Sequence, residues 1–295
     1  MIMPIVCDQN RYGSDVSMIS NAEIQMNQTH PIKMAILNLM PNKITTEHQL
    51  LRLLGKSPLP IEVTLLYTKT YAPTHMIDDY LQKQYRVFDD VKDDTFDAFI
   101  ITGAPVEHLS FEQVDYWDEL TDIFTYVHSN VRSTLFLCWA SQAALHFYYD
   151  IPRFEVSEKI FGIERFKTRV KNSLTDGFES YFNVPQSRYF YHQLSDIQSH
   201  SDLILYAGSE QSGAQIVASK DYRSVFIAGH FEYDTDTLHL EYKRDQERGL
   251  HTSLPTCYFV NDDPTQGYCS TWQTHAERFF TNWIKHIVDP TVSDA

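Results

Sequence analysis

The sequence predicts an α/β fold in which a mostly parallel sheet is flanked by helices. Short apolar runs alternate with helical patterns, and the connections between them are short. A chain of 295 residues that is 43% hydrophobic can also bury one large core. Buried parallel strands read as continuous apolar runs. In chain order, the predicted strands are Ile32–Leu37, Ile61–Tyr67, Ala98–Thr102, Thr134–Leu137, Leu203–Ala207, Ala214–Ser219 and Ser224–Ala228.

Three helical patterns lie between these strands. The first spans Thr45–Leu54 and is followed by Gly55, a residue that suits a helix C-cap. The second spans Phe111–Val127, and the third spans Trp139–Tyr149. The stretch from Asp150 to Gln193 is less regular, so we expect an irregular insertion that carries specificity rather than core.

Length and composition favour one large domain, although the length alone would also allow two. We expect an N-terminal extension over residues 1–30 and a single domain over residues 31–290. No apolar stretch is long enough to span a bilayer, and the N-terminal residues lack the basic and apolar regions of a signal peptide. The predicted location is therefore cytoplasmic, with no membrane partner.

The cysteines and histidines do not predict a metal site. The four cysteines have neither the density nor the spacing of a disulfide framework or a zinc site, and the 13 histidines form no compact cluster with them. Three of the four cysteines are interpreted as packing or incidental thiols, namely Cys7, Cys257 and Cys269.

The formal net charge of −15 argues against a nucleic-acid partner, because such a surface repels phosphates unless it carries a dense basic patch. The one basic cluster in the sequence is small. Its members alternate, which places them on one face of an extended segment. This face is either a solvated edge strand, the commoner case, or a docking face for the phosphates of a nucleotide-like cofactor. The cluster consists of Arg165, Lys167, Arg169 and Lys171.

Cys138 stands where the strand Thr134–Leu137 gives way to the helical pattern that begins at Trp139. A strand followed at once by a helix forces a sharp turn that projects one side chain above the sheet edge. Backbone N–H groups at the start of the new helix favour a thiolate and bind a developing oxyanion. This position predicts a nucleophile, and the alternative is a buried structural cysteine.

A base and a carboxylate follow the last predicted strand. His230 and Glu232 come after Gly229 and are two residues apart, so both side chains point the same way from an extended segment. A catalytic thiol needs such a base, and the imidazole needs a group to fix its tautomer. Most His-x-Glu pairs are ordinary polar loops. Here Cys138 lies at the carboxyl end of another strand, where the sites of open α/β sheets gather, so we predict a catalytic triad.

Four segments in chain order resemble the signature blocks of the homoserine O-acyltransferases of methionine biosynthesis. The resemblance runs from about Pro31 to about Trp283, and several linked motifs in order are more specific than any single one. That family has a fold similar to class I glutamine amidotransferases, which agrees with the architecture predicted above. The four segments are Ile36–Lys43, Ile100–Glu107, Phe136–Ala140 and Gly229–Asp234.

The resemblance implies an acyltransferase with a ping-pong mechanism. Cys138 would take the acyl group from an acyl-CoA and pass it to the side-chain hydroxyl of a small amino acid. His230 would act as the base, and Glu232 would orient it. No bound cofactor is implied, since the acyl-CoA is a co-substrate. The oxyanion hole would consist of backbone N–H groups that flank the elbow, those of Gly103, Ala104 and Trp139.

An amino-acid acceptor needs a cation for its carboxylate and an anion for its ammonium. Arg244 suits bidentate carboxylate recognition, and Glu241 lies three residues earlier on the same side of a predicted helix, Asp236–Glu247. An exposed salt bridge is the alternative interpretation of this pair. The resemblance also assigns Lys43 and Arg188 to the substrate side of the site.

Glu107 bears on the acyl donor. In the family, the matching position tends to be glycine in succinyl-transferring members and glutamate in acetyl-transferring ones. A glutamate there occupies the space that a longer acyl chain needs, and its charge repels the free carboxylate of succinate. We therefore expect acetyl-CoA as the co-substrate.

Two acceptors stay open. Homoserine ranks first on the family resemblance. The segment His230-Phe231-Glu232 stands where the family usually has His-Pro-Glu, and a Phe231 that narrows the pocket would favour serine, which is one methylene shorter and leads to cysteine. A more distant alternative is amide hydrolysis, as in glutamine amidotransferases, or binding without catalysis.

A homodimer is expected because dimers are the commonest assembly.

Overall fold

A computed structural model describes residues 5–6, 31–70 and 79–289. Most of the predicted extension over residues 1–30, including Cys7, lies outside the described residues. Eleven strands in this part of the chain belong to one sheet. They are β1 (Ile5–Val6), β2 (Ile32–Leu37), β3 (Ile61–Tyr67), β4 (Tyr85–Val87), β5 (Ala98–Ile101), β6 (Ser133–Leu137), β7 (Phe154–Thr168), β8 (Tyr181–Tyr191), β9 (Leu203–Ser209), β10 (Gly213–Ser219) and β11 (Ser224–Ile227).

Each of the three helical patterns predicted between strands contains an α-helix. The helix predicted over Trp139–Tyr149 has those bounds, whereas the one predicted from Phe111 starts later, after a short 3₁₀ turn over Phe111–Gln113. None of the helices in the described ranges is both long enough and apolar enough to cross a lipid bilayer. The α-helices are α1 (Lys43–Leu54), α2 (Asp79–Gln84), α3 (Trp117–Asn130), α4 (Trp139–Tyr149), α5 (Leu194–Ser199), α6 (Thr237–Glu247) and α7 (Gln273–Trp283).

The parallel half of the sheet has the predicted architecture. The strand order is β1-β3-β2-β5-β6-β11-β10-β9-β7-β8, and β4 pairs with the outer side of β3. Every neighbouring pair from β1 to β11 is parallel, as is the pair of β3 and β4. The carboxyl ends of β2, β5, β6 and β11 therefore meet at one edge, where α/β folds build their sites.

The other half of the sheet is antiparallel, from β11 through β10, β9 and β7 to β8. The predicted sheet, mostly parallel, thus has a parallel half and an antiparallel half. The reason is the length of the connections. Residues 210–212 join β9 to β10 and residues 220–223 join β10 to β11, whereas a parallel crossover needs a dozen residues or more.

The irregular insertion that the sequence predicts over residues 150–193 is instead a long antiparallel hairpin of β7 and β8. Its register shifts between Glu155 and Ile160, and this irregularity hides the strand periodicity in the sequence. Inward-facing side chains such as Phe161 and Val184 are buried in the core. β7 also pairs with β9 at Lys167–Thr168, so this part of the basic face lies on a strand with neighbours on both sides and not at a sheet edge.

The sheet separates two layers of core. In β2, Met34 and Ile36 face one side while Ala35 and Leu37 face the other, and all four are fully buried. The first side packs against α1 and α7, and the second packs against α3, α4 and α5. A sheet covered in this way leaves its strand ends as the natural place for a site.

Candidate active site

Cys138 lies in the sharp turn between β6 and α4. Its backbone has φ 48° and ψ −114°, a left-handed conformation that costs a non-glycine residue about 1–3 kcal/mol. The Cys138 N–H donates to Ile227 O at 2.7 Å, and the Cys138 carbonyl accepts from the Ser141 N–H at 3.0 Å and from Ser141 Oγ at 2.7 Å. The strained turn is thus held from both sides, as in a nucleophile elbow.

His230 lies between a carboxylate and Cys138. Its Nδ1 lies 2.6 Å from Glu232 Oε1, which leaves Nε2 for the thiol. Burial alone lowers the pKa of His230, but the Cys138 and Glu232 side chains outweigh it and raise that pKa well above its ordinary value. His230 therefore lies between the Glu232 carboxylate and the Cys138 thiol, where it can take the proton of the thiol.

The loop that carries this pair is a turn. Residues 231 and 232 form a turn, and Glu232 Oε1 lies at Nδ1 of His230; the extended segment predicted here is wrong. The His230 N–H donates to Pro185 O of β8 at 2.9 Å, which fixes the start of the turn. Glu232 is buried, and its Oε2 has no hydrogen-bond partner among the described residues.

Backbone groups predicted for the oxyanion hole lie beside the elbow. A Cβ built on Gly103 would be 3.2 Å from Cys138 Cβ and 3.7 Å from Trp139 N, so the backbone after β5 comes into contact with the turn. The Trp139 N–H is the first of α4, and such N–H groups lack acceptors within their own helix. Ala104, the next predicted donor, is buried directly after Gly103.

Glu107 bridges from the loop after β5 to the hairpin. Its Oε2 accepts from the Tyr189 N–H of β8 at 2.9 Å. Burial raises the pKa of Glu107, and the Tyr189 N–H and the charges of Lys159, His230 and Arg188 offset part of this rise. The carboxylate predicted to select the donor thus lies close to the catalytic base.

Arg188 has no exposed surface. Its Nε donates to Gln186 Oε1 at 2.7 Å, and its two terminal nitrogens donate to Phe190 O and Ser212 O, both at 2.6 Å. Burial lowers the pKa of Arg188 to about 10, while the neighbouring Cys138 and Glu107 act in the opposite direction. A buried cation therefore stands near both the sulfur and the donor carboxylate.

Lys43 is also buried. Its Nζ donates to Asn38 O at 2.6 Å and to Met40 O at 3.3 Å, across the loop between β2 and α1. Burial lowers the pKa of Lys43 to about 8. The residue thus holds the loop at the carboxyl end of β2 in shape.

Glu241 and Arg244 lie on α6, as predicted. Glu241 Oε1 accepts from the Tyr233 hydroxyl and Oε2 accepts from the Ser187 hydroxyl, each at 2.6 Å. The Arg244 side chain is 45% exposed, and its Nε and one terminal nitrogen donate to Asp245 Oδ1 at 3.0 and 2.8 Å. The pair thus combines a fixed carboxylate with a guanidinium that is open to solvent.

Two charged residues of this cluster were missed by the sequence analysis. Asp245 Oδ2 accepts from Thr252 Oγ1 at 2.9 Å and from Lys159 Nζ at 3.3 Å, and the Lys159 nitrogen is 3.9 Å from Glu241 Oε2. Burial raises the pKa of Asp245, but these contacts and Arg244 bring it below its ordinary value. The adjacency of Asp245 to Arg244 was a usable signal, whereas Lys159 lay in the stretch interpreted as irregular.

Phe231 does not line the site. Its ring stacks on Phe182, with centroids 6.2 Å apart, and on Phe279, with centroids 5.3 Å apart, in the core layer against α7. The side chain is almost fully buried there. The expectation that Phe231 narrows the acceptor pocket is therefore wrong.

Within the described ranges, no three His, Cys, Asp or Glu side chains come together in a way that could hold a metal ion.

Two members of the basic cluster already contact other side chains of the protein. The Arg165 guanidinium lies over the Tyr181 ring at 4.5 Å, and Arg169 forms an ion pair with Glu210 at 2.8 Å.

Solved structures share this fold. A glutamine amidotransferase from Thermotoga maritima has a TM-score of 0.57 at 10% identity, covering 88% of this chain and 100% of that one. A glutamine amidotransferase from Methylobacillus flagellatus has a TM-score of 0.53 at 10% identity, covering 88% and 95%. The chain thus shares the α/β fold of these glutamine amidotransferases and has a cysteine at its strand-to-helix elbow, and the predicted fold class is confirmed.

The family is narrower than the fold. The homoserine O-succinyltransferase family model matches residues 12–293, and the chain belongs to this family. The resemblance read from four motifs is confirmed, and the match extends beyond Pro31 and Trp283 at both ends.

Similar proteins carry a related name. "Homoserine O-acetyltransferase 1" of Ilyobacter polytropus is 45% identical over 277 residues, covering 94% of this chain and 92% of that protein. A homoserine O-acetyltransferase of Thermotoga petrophila is 47% identical over 258 residues, covering 88% and 85%. Another from Clostridium beijerinckii is 43% identical over 285 residues, covering 96% and 92%.

Proposed function

We propose that this chain is a homoserine O-acetyltransferase of methionine biosynthesis. The proposal is carried by one observation: a buried cysteine at a strand-to-helix elbow faces a histidine whose Nδ1 lies 2.6 Å from a glutamate oxygen. An open guanidinium and a fixed carboxylate, those of Arg244 and Glu241, lie on the helix that follows. The names of the similar proteins support the choice of homoserine and acetyl groups.

In the first half-reaction, His230 accepts the proton of Cys138 and the thiolate attacks the thioester carbonyl of acetyl-CoA. The oxyanion accepts hydrogen bonds from backbone N–H groups at Gly103 and Trp139, each typically worth about 3 kcal/mol. The bond between the acyl carbon and the CoA sulfur then breaks. His230 gives its proton to that sulfur, so free CoA leaves and acetyl-Cys138 remains.

In the second half-reaction, the homoserine hydroxyl gives its proton to His230 while its oxygen attacks acetyl-Cys138. The carbon–sulfur bond of the intermediate breaks, and His230 returns the proton to the cysteine sulfur. Glu232 stabilises the imidazolium in both halves and fixes its orientation. The product is O-acetylhomoserine.

The acceptor is held by its two charged ends. Glu241 takes the ammonium, because each of its oxygens keeps a lone pair beyond the hydroxyl already bound. Arg244 takes the carboxylate with the N–H groups that Asp245 leaves free. Arg188 and Lys43 are buried. Arg188 contributes a positive charge near Cys138, and Lys43 holds the loop after β2 through hydrogen bonds.

Glu107 selects the donor. Its carboxylate lies near the base, at the position where the free carboxylate of a succinyl group would have to be placed. The Tyr189 N–H holds it there, so the negative charge cannot swing away without losing a hydrogen bond. Acetyl-CoA, which has no second carboxylate, is therefore the donor, and it is consumed as a co-substrate with no bound cofactor.

Serine is not favoured as the acceptor. The argument for serine depended on Phe231, whose ring packs in the core. The proposal further includes a homodimer, a cytoplasmic location, an extension over residues 1–30 and one domain over residues 31–290. Each of these four rests on the sequence argument given above.

Release of free CoA from acetyl-CoA tests the proposal. The purified protein is assayed with homoserine, with serine or with water alone, and Cys138→Ala is the matched blank. We expect release that depends on homoserine and is absent from the blank. A strong preference for serine would overturn the acceptor, and ammonia release from glutamine in place of CoA release would overturn the reaction class.

A further inference from the structure

Tyr233 contacts both halves of the proposed site. Its ring stacks on the imidazole of His230, with centroids 4.1 Å apart and planes 15° apart. Its hydroxyl donates to Glu241 Oε1 at 2.6 Å. One buried side chain therefore links the general base to the carboxylate assigned to the acceptor ammonium.

Glu241 is held in one orientation by this contact and one other. Its second oxygen accepts from Ser187, also at 2.6 Å, and the side chain is only 12% exposed. Two short hydrogen bonds on different oxygens prevent rotation of the carboxylate, because either rotation breaks one of them. Only the Tyr233 bond also ties Glu241 to the plane of His230.

We propose that Tyr233 is a positioning residue that sets the distance between the ammonium site on Glu241 and the proton-accepting nitrogen of His230, and so selects homoserine over serine. This inference rests on the proposed function. The two amino acids have the same charged ends and differ by one methylene. If the ammonium is fixed relative to the base, the hydroxyl of only one of them reaches that base in line with the acyl group, and misplacement of this kind is costly.

The two half-reactions separate positioning from structural support. Acetyl transfer from CoA to Cys138 uses His230 but does not use Glu241. Transfer from acetyl-Cys138 to the amino acid uses both. A residue that acts through Glu241 changes the second half-reaction alone, whereas damage to the fold or to the His230 ring changes both.

The test compares Tyr233→Phe with Tyr206→Phe. The first variant keeps the ring stacked on His230 and removes only the hydroxyl. Tyr206 supplies the control because its ring is fully buried and its hydroxyl bonds Asn172 Nδ2 at 2.9 Å and Tyr222 Oη at 3.1 Å, in β9 and outside the site. Ser187→Ala serves as a second variant, which frees the other oxygen of Glu241 without touching His230.

Each variant is assayed for single-turnover CoA release without acceptor and for kcat/KM with homoserine and with serine. For Tyr233→Phe we expect CoA release within about twofold of the unmodified protein and at least about a tenfold fall in kcat/KM for homoserine. We also expect the homoserine-to-serine ratio to fall by about tenfold. Ser187→Ala should lower both kcat/KM values by similar factors, and Tyr206→Phe should change none of them.

The inference is overturned if Tyr233→Phe leaves the ratio unchanged, if CoA release falls in parallel with transfer, or if Ser187→Ala shifts the ratio equally. The unmodified protein separates this failure from failure of the proposed function. If that protein acetylates neither homoserine nor serine, the proposed function itself is wrong.

Discussion

Gly229→Ala is expected to damage both stability and catalysis, because Gly229 leaves room for a buried glutamine. A Cβ at this position would lie 2.1 Å from Gln186 Nε2 and 2.6 Å from Pro185 O. Gln186 is fully buried, donates to Gln215 Oε1 at 3.0 Å and accepts from Arg188 Nε at 2.7 Å. Ordinary van der Waals contact begins at 3.4 Å, so the amide or the loop must move by about 1.3 Å.

This displacement sets the expected magnitude. A neutral buried hydrogen bond is worth about 1 kcal/mol, one to a charged group about 1.5–3 kcal/mol, and overpacking costs about 1–3 kcal/mol. Since relaxation recovers part of the total, we expect Gly229→Ala to lower the free energy of unfolding by about 3–5 kcal/mol. His230 follows directly and donates to Pro185 O, so a shift of about 1 Å should also lower kcat/KM by about 100-fold.

Urea unfolding followed by tryptophan fluorescence measures the stability, and CoA release at a temperature where the variant is folded measures the activity. Gly249→Ala is the matched control. Its Cβ meets nothing within 4 Å, but its φ of +68° is left-handed, so it should cost about 1–2 kcal/mol and leave kcat/KM unchanged. A Gly229→Ala protein within about 1 kcal/mol of the unmodified protein and equally active would refute the steric argument.

Three further outcomes are expected. Glu107→Gly should raise kcat/KM for succinyl-CoA relative to acetyl-CoA by at least about tenfold, and an unchanged donor preference would contradict the role of that carboxylate. Glu232→Gln removes an anion that raises the pKa of His230, so the limb of the pH–rate profile that reports His230 should move to lower pH and kcat/KM should fall by about 10²–10⁴; a limb that stays in place would contradict the pairing. Burial, helped by Arg188 and Arg153, lowers the pKa of His192 to about 4, so between this value and the unfolded value the unfolded chain binds more protons, and stability decreases as the pH is lowered. His192→Gln should therefore remove about 2 kcal/mol of the stability loss between pH 7 and pH 5 in urea titrations, and an identical pH slope would count against a neutral buried His192.

The sequence predicts the parallel half of the fold well because the signals there are local. β5, β6 and β11 are mostly apolar runs that are buried along their whole length, β2 and β3 are apolar apart from a few polar residues, and α4 begins directly after Cys138. The antiparallel half of the sheet is harder to predict from the sequence. Its strands are apolar in the same way, and only the short connections over residues 210–212 and 220–223 distinguish a meander from crossovers.

Contacts across the chain limit what the sequence predicts of the site. The His230 and Glu232 pair lies within three residues, so it was predictable, although its turn was not. Tyr189 donates to Glu107 across 82 positions, and Lys159 meets Asp245 across 86. Such pairs depend on the docking of the hairpin, which no local pattern encodes. Phe231 is an error of the opposite kind. It differs from the proline that the family usually has at this position, and the sequence analysis assigned it to the pocket, but its side chain packs in the core.

Strand β8 ends the sheet in the described part of the chain, and an unpaired strand edge is a template for pairing with other chains. Two of its backbone groups are already in use: Pro185 O accepts from His230, and the Tyr189 N–H donates to Glu107. The loops that carry the chemistry thus also occupy part of the open edge. Solubility and catalysis are coupled here, because a substitution that undocks the His230 loop exposes a strand edge to neighbouring molecules as well as dispersing the triad.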